Sequence, residues 1–464
     1  MQSYLWTVAW RKTFQKLVKK GQTMTKEIAT EVPAEIAQAV LEAVERNAAE
    51  TVSFLRELVN FRTENPKLVN IEPGAEAECQ TFIAGKLKDL DLEVDTWEVY
   101  PKRPDLVATL RGTGGGRSLI LNGHIDVVPA GDPALWPYDP WAGEIHDGKM
   151  WGRGSCDMKG GIAAMIAAVA AVRQAGLRLR GDVLVETVVD EEVGGPGTRQ
   201  TLERGYRADA VIVTEPTGGS IQPVEGGLEW LRLVVQGVAG HTAKRYLSVH
   251  AGGQGQAVNA IEKMMKLLAA VQELERHWGV YKVHPLLPKG ITTINIGVIL
   301  GGTGGGKDGM PNLISSPSTF PDYCSAQLSL KYLPSERTED VKAEFEDYIQ
   351  RVAQADPWLR EHPPAIEWGL AGVSFPPANT APDHLVIQSI SRGHEMVVGP
   401  ANYAGFVAVT DLAWFAGQGI PGCLYGPGDL TQAHTSAEFV PLADLKAVTK
   451  VLALTLVDWC GYDA

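Results

Sequence analysis

From Leu119 to Asp126 the chain reads LILNGHID, and from Trp151 to Gly161 it reads WGRGSCDMKGG. The first run is an apolar β-strand stopped by a glycine, with His124 and Asp126 just beyond it. Residues two apart on an extended chain point the same way, so the Asp126 carboxylate can orient the His124 imidazole or share a metal with it. The second run places Asp157 just before an apolar helix. The segment therefore predicts a strand–loop–helix unit with acid and imidazole groups at its mouth.

The length and composition of the chain bound its class. At 464 residues it is longer than one hydrophobic core usually supports, so we expect two domains. The 45% hydrophobic and 21% charged fractions are ordinary for a globular enzyme, and the 50 glycines suit an α/β fold with many tight turns. The net charge of −13 argues against nucleic acid or anionic membranes as partners.

The cysteine content indicates a reducing compartment. The five cysteines are odd in number and widely spaced, and they contain no Cys-x-x-Cys pair. A disulfide framework or a thiolate zinc site is therefore not expected. No apolar run is long enough to cross a bilayer. Together these observations predict a cytoplasmic protein without a membrane partner.

Residues 1–33 are interpreted as a leader before the first domain. The first part, Met1–Gly21, is basic and aromatic, and it lacks the apolar core and small-residue cleavage site of a secretory signal. Met24 is an alternative start of the chain. A basic amphipathic helix is the alternative interpretation of the segment.

Hydrophobic periodicity predicts how the rest of the chain is organised. Residues 34–225 alternate apolar strands with helices, which predicts an α/β catalytic domain with a mostly parallel central sheet flanked by helices. Residues 226–372 follow a strand–helix–strand–strand–helix–strand order, the ferredoxin-like α+β pattern of an inserted domain, with its first helix predicted over Ala251–His277. Residues 373–464 return to the first domain. The glycine-rich run Gly301–Gly306 is interpreted as a flexible loop.

Three predicted apolar strands each end in side chains that can bind a metal. His124 follows the first strand, Glu191 and Glu192 follow the second, and Glu215 follows the third. Parallel sheets bind ligands at the carboxyl ends of their strands. We therefore expect these side chains to converge on one edge of the sheet.

Two further residues complete a set of six candidates: His124, Asp157, Glu191, Glu192, Glu215 and His434. Imidazole and carboxylate ligands without a thiolate suit zinc, manganese or cobalt in a hydrolytic role. Two metals a few Å apart need a bridging carboxylate and about two terminal ligands each, so five ligands and one spare acid meet the need. Glu191 and Glu192 point apart on an extended chain, so one can ligate while the other faces the attacking water.

These residues lie in motifs that together resemble the dizinc hydrolase family of acetylornithine deacetylase, succinyl-diaminopimelate desuccinylase, aminoacylase and glutamate carboxypeptidase. The motifs are GHIDVVP from Gly123, GRGSCDMKGG from Gly152, DEEVGG from Asp190, TEP from Thr214, GHTA from Gly240 and AHTSAE from Ala433. The resemblance extends from about Glu35 to Val457. It implies a zinc-peptidase-like fold with an inserted lid and dimerisation domain, and a homodimer formed through that domain.

The resemblance also implies a role for each candidate. The metal ligands would be His124 and Glu215 for one ion, Glu192 and His434 for the other, and Asp157 as the bridge. Asp126 would orient His124, and Glu191 would be the general base. A cis peptide bond is implied after Asp157.

Residues of the inserted domain are implied to contact the substrate. His241 would help to hold the oxyanion, often from the partner subunit of a dimer, and Asn312 would contact the substrate. The family often has an arginine that grips a substrate carboxylate, and Lys331 stands in its place. Because a lysine is a point charge and not a planar fork, carboxylate recognition is left open. Gly428, in the loop after the last predicted strand, is a further substrate-binding candidate.

The sequence thus predicts a hydrolase of linear amide bonds that removes an N-acyl group from an amino acid or a related small amine, in the manner of acetylornithine deacetylase. Its cofactors would be two divalent metal ions, zinc first, with cobalt or manganese as the other choices. A dipeptidase or carboxypeptidase of the same family and a formylaminopyrimidine deformylase are the alternatives. A non-catalytic binding protein of the same fold is the remaining one, and the complete set of ligands and base argues against it.

Overall fold

The computed structural model of the chain describes residues 32–249, 257–313 and 316–463. The predicted leader, residues 1–33, lies almost entirely outside these ranges. Among the described residues, no helix combines the length and the hydropathy that crossing a membrane requires.

Two compact units make up the described chain. The first contains the described residues up to Val224, then Asn379–Phe406 and the residues from Thr410 onward, and the second contains Glu225–Ala378 and Val407–Val409. The sequence placed the second boundary earlier, between residues 372 and 373. The segment up to Ala378 belongs to the second unit, because its strand Ser374–Phe375 pairs with Gly227–Gln236.

A mixed sheet forms the centre of the first unit, with nine strands counted over the described ranges. In spatial order the strands are Glu93–Tyr100, Arg103–Leu110, Val183–Val188, Leu119–His124, Ala210–Pro216, Gly422–Gly426, Ile221–Glu225 and Ala378–Asn379, with Tyr403–Phe406 also paired to Ile221–Glu225. The four strands from Val183–Val188 to Gly422–Gly426 run parallel to one another. Antiparallel strands flank them. The predicted α/β fold is confirmed, and the parallel part of its mixed sheet is these four central strands.

Helices cover both faces of this sheet, which explains why its central strands are nearly continuous apolar runs. All six residues of Leu119–His124 are buried. Successive residues face opposite sides: Gly123 lies against the helix Lys159–Gln174, while Asn122 donates a hydrogen bond to Thr198 at 3.1 Å on the other face.

The helices of the first unit are Ala34–Asn60, Ala75–Asp89, Lys159–Gln174, Pro196–Glu203, Leu385–Val397, Leu412–Gly417 and Leu442–Cys460. Lys159–Gln174 packs against Ala34–Asn60, Leu442–Cys460 and the central strands. Its buried positions are mainly alanine and glycine, which lets the neighbouring backbones approach closely. Two small sheets complete the unit: Glu144–His146, Lys149–Trp151 and Phe439–Pro441 form one, and Arg178–Leu179 with Tyr462–Asp463 forms the other.

The second unit has the predicted ferredoxin-like order. Its sheet contains Pro311–Leu313, Ile294–Gly305, Tyr323–Tyr332, Gly227–Gln236 and Ala365–Trp368 in spatial order, with Ser374–Phe375 also paired to Gly227–Gln236. The helices Ala260–Tyr281 and Thr338–Gln354 pack on it around a core of their own. The remaining elements are the strand pair Gly240–His241 and Thr319–Phe320 and the short helices Arg245–Val249 and Pro357–Glu361.

Two local predictions in this unit were wrong. The start of the helix predicted from residue 251 lies outside the described ranges, and residues 257–259 are not helical. The helix there starts at Ala260, where the Asn259 side chain accepts a hydrogen bond from the backbone N–H of Glu262 and caps the first turn. The run Gly301–Gly306 is not a loop, since the strand Ile294–Gly305 continues through most of it and turns back to pair with Pro311–Leu313.

We expect Gly161→Ala to destabilise the protein by about 1–3 kcal/mol or more, because overpacking at a rigid contact forces the backbone apart. A Cβ at Gly161 would lie 2.0 Å from the backbone oxygen of Thr214, within the buried face of Lys159–Gln174. Urea unfolding followed by circular dichroism measures the change.

Gly85→Ala is the matched control, since Gly85 also lies inside a helix and a Cβ there would meet no heavy atom within 4 Å. We expect the free energy of unfolding of this variant to be about 0.4–1 kcal/mol higher than that of the wild type. Equal stability of Gly161→Ala and the wild type would contradict the close packing of helix on strand.

Candidate metal centre

Parallel strand direction brings the predicted ligands to one edge of the central sheet. His124 is the last residue of its strand, and Glu215 lies one residue before the end of the neighbouring strand. Glu191 and Glu192 begin a 3₁₀ turn that follows a third parallel strand, and Asp157 lies two residues before the helix Lys159–Gln174. The predicted convergence at the carboxyl ends of the strands is what the structure shows.

Asp157 joins two groups of ligand atoms. Its Oδ1 lies 3.2 Å from Nε2 of His124, and that nitrogen lies 3.6 Å from Oε1 of Glu215. Its Oδ2 lies 3.4 Å from Nε2 of His434, and that nitrogen lies 3.1 Å from Oε2 of Glu192. Within each group the ligand atoms lie within 4.8 Å of one another. The structure therefore brings all five predicted ligands together as two sets that share one carboxylate.

The His124 ring is oriented by a backbone carbonyl. Its Nδ1 lies 2.9 Å from the backbone oxygen of Asp126 but 3.8 Å from Oδ1 of the Asp126 carboxylate. A carbonyl oxygen only accepts, so Nδ1 carries the hydrogen and Nε2 keeps its lone pair toward the other ligands. The predicted contact of the carboxylate with the ring is thus corrected. That Oδ1 instead accepts a hydrogen bond from the backbone N–H of Glu191 at 3.2 Å.

A tight turn separates the two neighbouring glutamates. Asp190 enters it in the left-handed region at φ 70°, and Gly194 and Gly195 leave it at φ 107° and 66°. A Cβ at Gly195 would also lie 2.2 Å from Nε1 of Trp414, so the close approach requires glycine.

The two glutamates consequently occupy different places in the site. Glu192 belongs to the second ligand set through its Oε2. Glu191 belongs to neither set, but its Oε2 lies 3.8 Å from Nε2 of His124. Glu191, the acid that is left over once five ligands are assigned, therefore lies beside the first set.

Buried negative charge makes this donor set fit divalent cations. The side chains of Asp157, Glu191, Glu192 and Glu215 are 5–11% exposed. Among the described residues, their only ion-pair partners are the two imidazoles, and the buried Oε1 of Glu192 has no hydrogen-bond partner. Burying a carboxylate without a positive partner is strongly unfavourable. Oxygen and imidazole donors that share one carboxylate match a pair of divalent metal ions.

The pKa values in the site reflect the same crowding. Burial raises the pKa of Glu191 and of Glu215 well above the usual range. Burial also acts to raise the pKa of Asp157, but the neighbouring imidazoles of His124 and His434 outweigh it and hold that pKa below its usual range. Hydrogen bonds to Asp157 and Glu192 raise the pKa of His434 to about 10. The geometry therefore favours positive charge at the places where the ligand atoms meet.

Glu438, which the sequence analysis did not single out, holds the loop that carries Asp157. Its Oε1 accepts hydrogen bonds from the backbone N–H groups of Cys156 and Asp157 at 2.9 and 3.0 Å, and its other oxygen pairs with Arg153. The signal was present, since Glu438 ends the AHTSAE motif. The implied cis peptide bond between Asp157 and Met158 is also present.

The predicted substrate-binding residues His241, Asn312 and Lys331 lie in the second unit. Nδ1 of His241 accepts a hydrogen bond from a backbone N–H at 3.0 Å, so the ring hydrogen is on Nε2 in the neutral form. The exposed Asn312 donates from Nδ2 to the carbonyl of Gly305 at 3.2 Å. Lys331 donates from Nζ to the carbonyl of Val407 at 2.7 Å, and burial lowers its pKa. Their contacts with a substrate stay predictions.

Gly428 lies next to the loop of the bridging residue. It has φ 80°, and a Cβ there would lie 2.6 Å from Sγ of Cys156, the neighbour of Asp157. A larger residue would displace this loop, so Gly428 has a structural role whatever it contributes to a substrate.

Comparison with known proteins identifies the family. Residues 120–458 match the sequence profile of peptidase family M20/M25/M40. The chain is 36% identical over 434 residues to N-formyl-4-amino-5-aminomethyl-2-methylpyrimidine deformylase of Halalkalibacterium halodurans, an alignment that covers 92% of this chain and 98% of that protein. It is 34% identical over 427 residues to the Bacillus subtilis protein of the same name, with coverage of 90% and 96%.

Solved structures show the same fold. The aminopeptidase PepT of Bacillus cereus superposes with a TM-score of 0.65 at 20% identity, and the match covers 88% of this chain and 98% of that one. The resemblance inferred from the motifs is thus confirmed. The chain belongs to peptidase family M20/M25/M40, and it is a hydrolase that acts on amide bonds.

Proposed function

We propose that the chain is a metal-dependent deformylase that hydrolyses the formamide of a small aminomethylpyrimidine or a closely related heteroaromatic amine. The observation that carries this proposal is the similarity to the Halalkalibacterium halodurans deformylase, which is 36% identical in an alignment that covers 98% of that protein. The ligand set at the sheet edge supplies the chemistry that such a reaction needs. The acetylornithine-type substrate predicted first is not confirmed, and the relatives favour the deformylase alternative instead.

The residue at position 331 agrees with a substrate that lacks a carboxylate. The compound in the relatives' name carries amino, methyl and formamide groups and no acid. A carboxylate substrate is best held by an arginine fork, and this chain has Lys331, whose Nζ already donates to a backbone carbonyl. Lys331 therefore agrees better with a substrate that has no carboxylate at this position.

We propose two divalent metal ions as cofactors, zinc first and cobalt or manganese as alternatives. His124 and Glu215 would hold one ion, Glu192 and His434 the other, and Asp157 both. Bound there, such ions lower the pKa of a water molecule and polarise the substrate carbonyl.

Glu191 is proposed as the general base. Its carboxylate lies beside the first ligand set without belonging to it, so it remains available to a proton. It would accept a proton from the attacking water and deliver it to the leaving amine nitrogen while the C–N bond breaks. The products are formate and the free amine. His241 is proposed to stabilise the oxyanion, since its Nε2–H is a donor.

We also propose a cytoplasmic homodimer formed through the second unit. The five cysteines are free and buried thiols, as a reducing compartment allows. In the described part of the chain, Ile294–Gly302 pairs with a strand on one side only, and it exposes Val298 and Ile299 at 39% and 54%. An exposed apolar edge strand is a template for pairing with a second copy.

We expect Glu191→Gln to lower kcat by about 10²–10⁴-fold, because an amide of the same size cannot carry a proton between water and the amine. The bound metal should stay at the wild-type level, because Glu191 is outside both ligand sets. Steady-state kinetics and elemental analysis of the same preparation measure both quantities.

Glu186→Gln is the matched control for this variant. Glu186 is a fully buried glutamate whose pKa is raised to about 8 by burial, so its neutral form resembles glutamine. We expect a wild-type kcat. A wild-type kcat in Glu191→Gln would refute the assignment of the base.

We expect the N-formyl aminomethylpyrimidine to give the highest kcat/KM in a panel with N-acetylornithine, N-succinyl amines and dipeptides. In the same assay Lys331→Met should change KM less than about twofold, since only a substrate carboxylate would miss the charge. Chelation should abolish activity, and added zinc, cobalt or manganese should restore it.

A preference for N-acetylornithine together with a raised KM in Lys331→Met would contradict the deformylase proposal. It would support the acetylornithine-type reading instead. Activity that survives exhaustive chelation would contradict the metal assignment.

We expect Ile299→Lys to convert a dimer to a monomer, because a charge on the exposed edge strand opposes pairing with a second copy. Leu135→Lys is the control, since Leu135 is 68% exposed in the first unit. Sedimentation equilibrium measures both variants. A wild-type monomer, or a dimer that Ile299→Lys leaves intact, would contradict the proposed interface.

A further inference from the structure

A buried cluster of side chains surrounds Asp190, the residue before the proposed base. The Asp190 carboxylate is fully buried and accepts hydrogen bonds from Nδ2 of Asn65 and Nη1 of Arg103, both at 2.9 Å, and from Nζ of Lys67. Arg103 is itself held by a bidentate pair with Glu76. The left-handed backbone of Asp190 is thus fixed by three donors from outside the turn.

Asn65 connects this cluster to the site. Its Nδ2 donates one hydrogen to Asp190 and the other to Oδ2 of Asp126 at 2.8 Å. Its Oδ1 accepts the backbone N–H of Lys67 at 3.0 Å, and its own N–H donates to the carbonyl of Val127 at 2.9 Å. The Asn65 side chain is completely buried with both amide hydrogens used.

The two carboxylates joined by Asn65 both act on the backbone of Glu191. Asp190 precedes it in the chain, and Oδ1 of Asp126 accepts its N–H at 3.2 Å. The side-chain amide of Asn65 therefore fixes the carboxylates of both Asp126 and Asp190. The turn that carries Glu191 begins between these two residues. Without that amide, the carboxylates of Asp126 and Asp190 would face each other with no shared donor.

We propose that Asn65 is a positioning residue for Glu191 and acts through Asp126 and Asp190 without touching a substrate or a metal ligand. This inference rests on the proposed role of Glu191 as the base. A proton carrier must stay within hydrogen-bond reach of both water and the leaving nitrogen, and a misplacement of about 1 Å can reduce the rate by 10²-fold. Asn65 limits that displacement because it links both anchors of the turn.

The test replaces Asn65 by aspartate, which keeps the size and the Oδ1 acceptor and removes both hydrogens. We expect Asn65→Asp to lower kcat by about 10–100-fold, with KM within twofold and an unchanged metal content. Asn65→Ala adds no charge, so it serves if the aspartate variant fails to fold, and we expect its kcat to fall in the same direction.

Asn122 provides a matched control. It is also fully buried, but its amide donates to Glu186 and Thr198, away from the turn. Asn122→Ala should lose stability to a similar degree and keep kcat. Equal losses of kcat in the Asn65 and Asn122 variants would show a general structural effect and overturn the inference.

A Glu191→Gln background separates the inference from the proposal beneath it. If Asn65 acts through Glu191, adding Asn65→Ala to Glu191→Gln lowers kcat no further. An additional fall, or a wild-type kcat in Asn65→Ala alone, overturns the positioning role and leaves the base assignment standing. A wild-type kcat in Glu191→Gln overturns both.

Discussion

Buried negative charge at the ends of parallel strands is the constraint on which the rest of the structure depends. Parallel strands direct their carboxyl ends to one edge, so a residue after each strand is brought together with the others whatever its distance along the chain. In this protein those residues are mainly acids, and they are almost completely buried. Such a cluster is stable only when positive charge lies among the carboxylates, and the spacing of the ligand atoms indicates where that charge belongs.

Backbone groups and tight turns hold these buried acids in place. Few lysine or arginine side chains contribute. Asp157 precedes the N-terminus of Lys159–Gln174, where the helix dipole favours a carboxylate, and Glu438 grips its backbone N–H. The His124 ring is held by a peptide carbonyl, and the Asp190 turn is held by three side chains from two distant segments. Arg103 and Lys67 form ion pairs with Asp190 and not with the carboxylates of the two ligand sets. Those carboxylates therefore remain available to metal ions.

The sequence predicts the parts of this arrangement that follow from local pattern and strand direction. Continuous apolar runs that end in His124, Glu215 and the Glu191–Glu192 pair are sufficient to infer a parallel centre and a shared edge. Asn65 could not be found in the same way, because it lies outside every recognised motif and its importance arises only when the fold brings it beside Asp126 and Asp190. The helix start at Ala260 depends on a local interaction, the Asn259 cap, which hydrophobic periodicity does not indicate.

The motifs that contain the proposed metal ligands do not indicate which amide substrate is cleaved. Every proposed metal ligand, and the proposed base, comes from strand ends and turns of the first unit, where burial and strand direction leave little freedom. The residues implied to recognise a substrate come from the second unit, and Lys331 stands there in place of the arginine that the family resemblance implies. A change of one side chain from a planar fork to a point charge alters which substrates can be bound without disturbing the metal site. Family membership is therefore sufficient for amide hydrolysis, while the deformylase proposal depends on likeness over the whole chain, including the unit that supplies none of the proposed metal ligands.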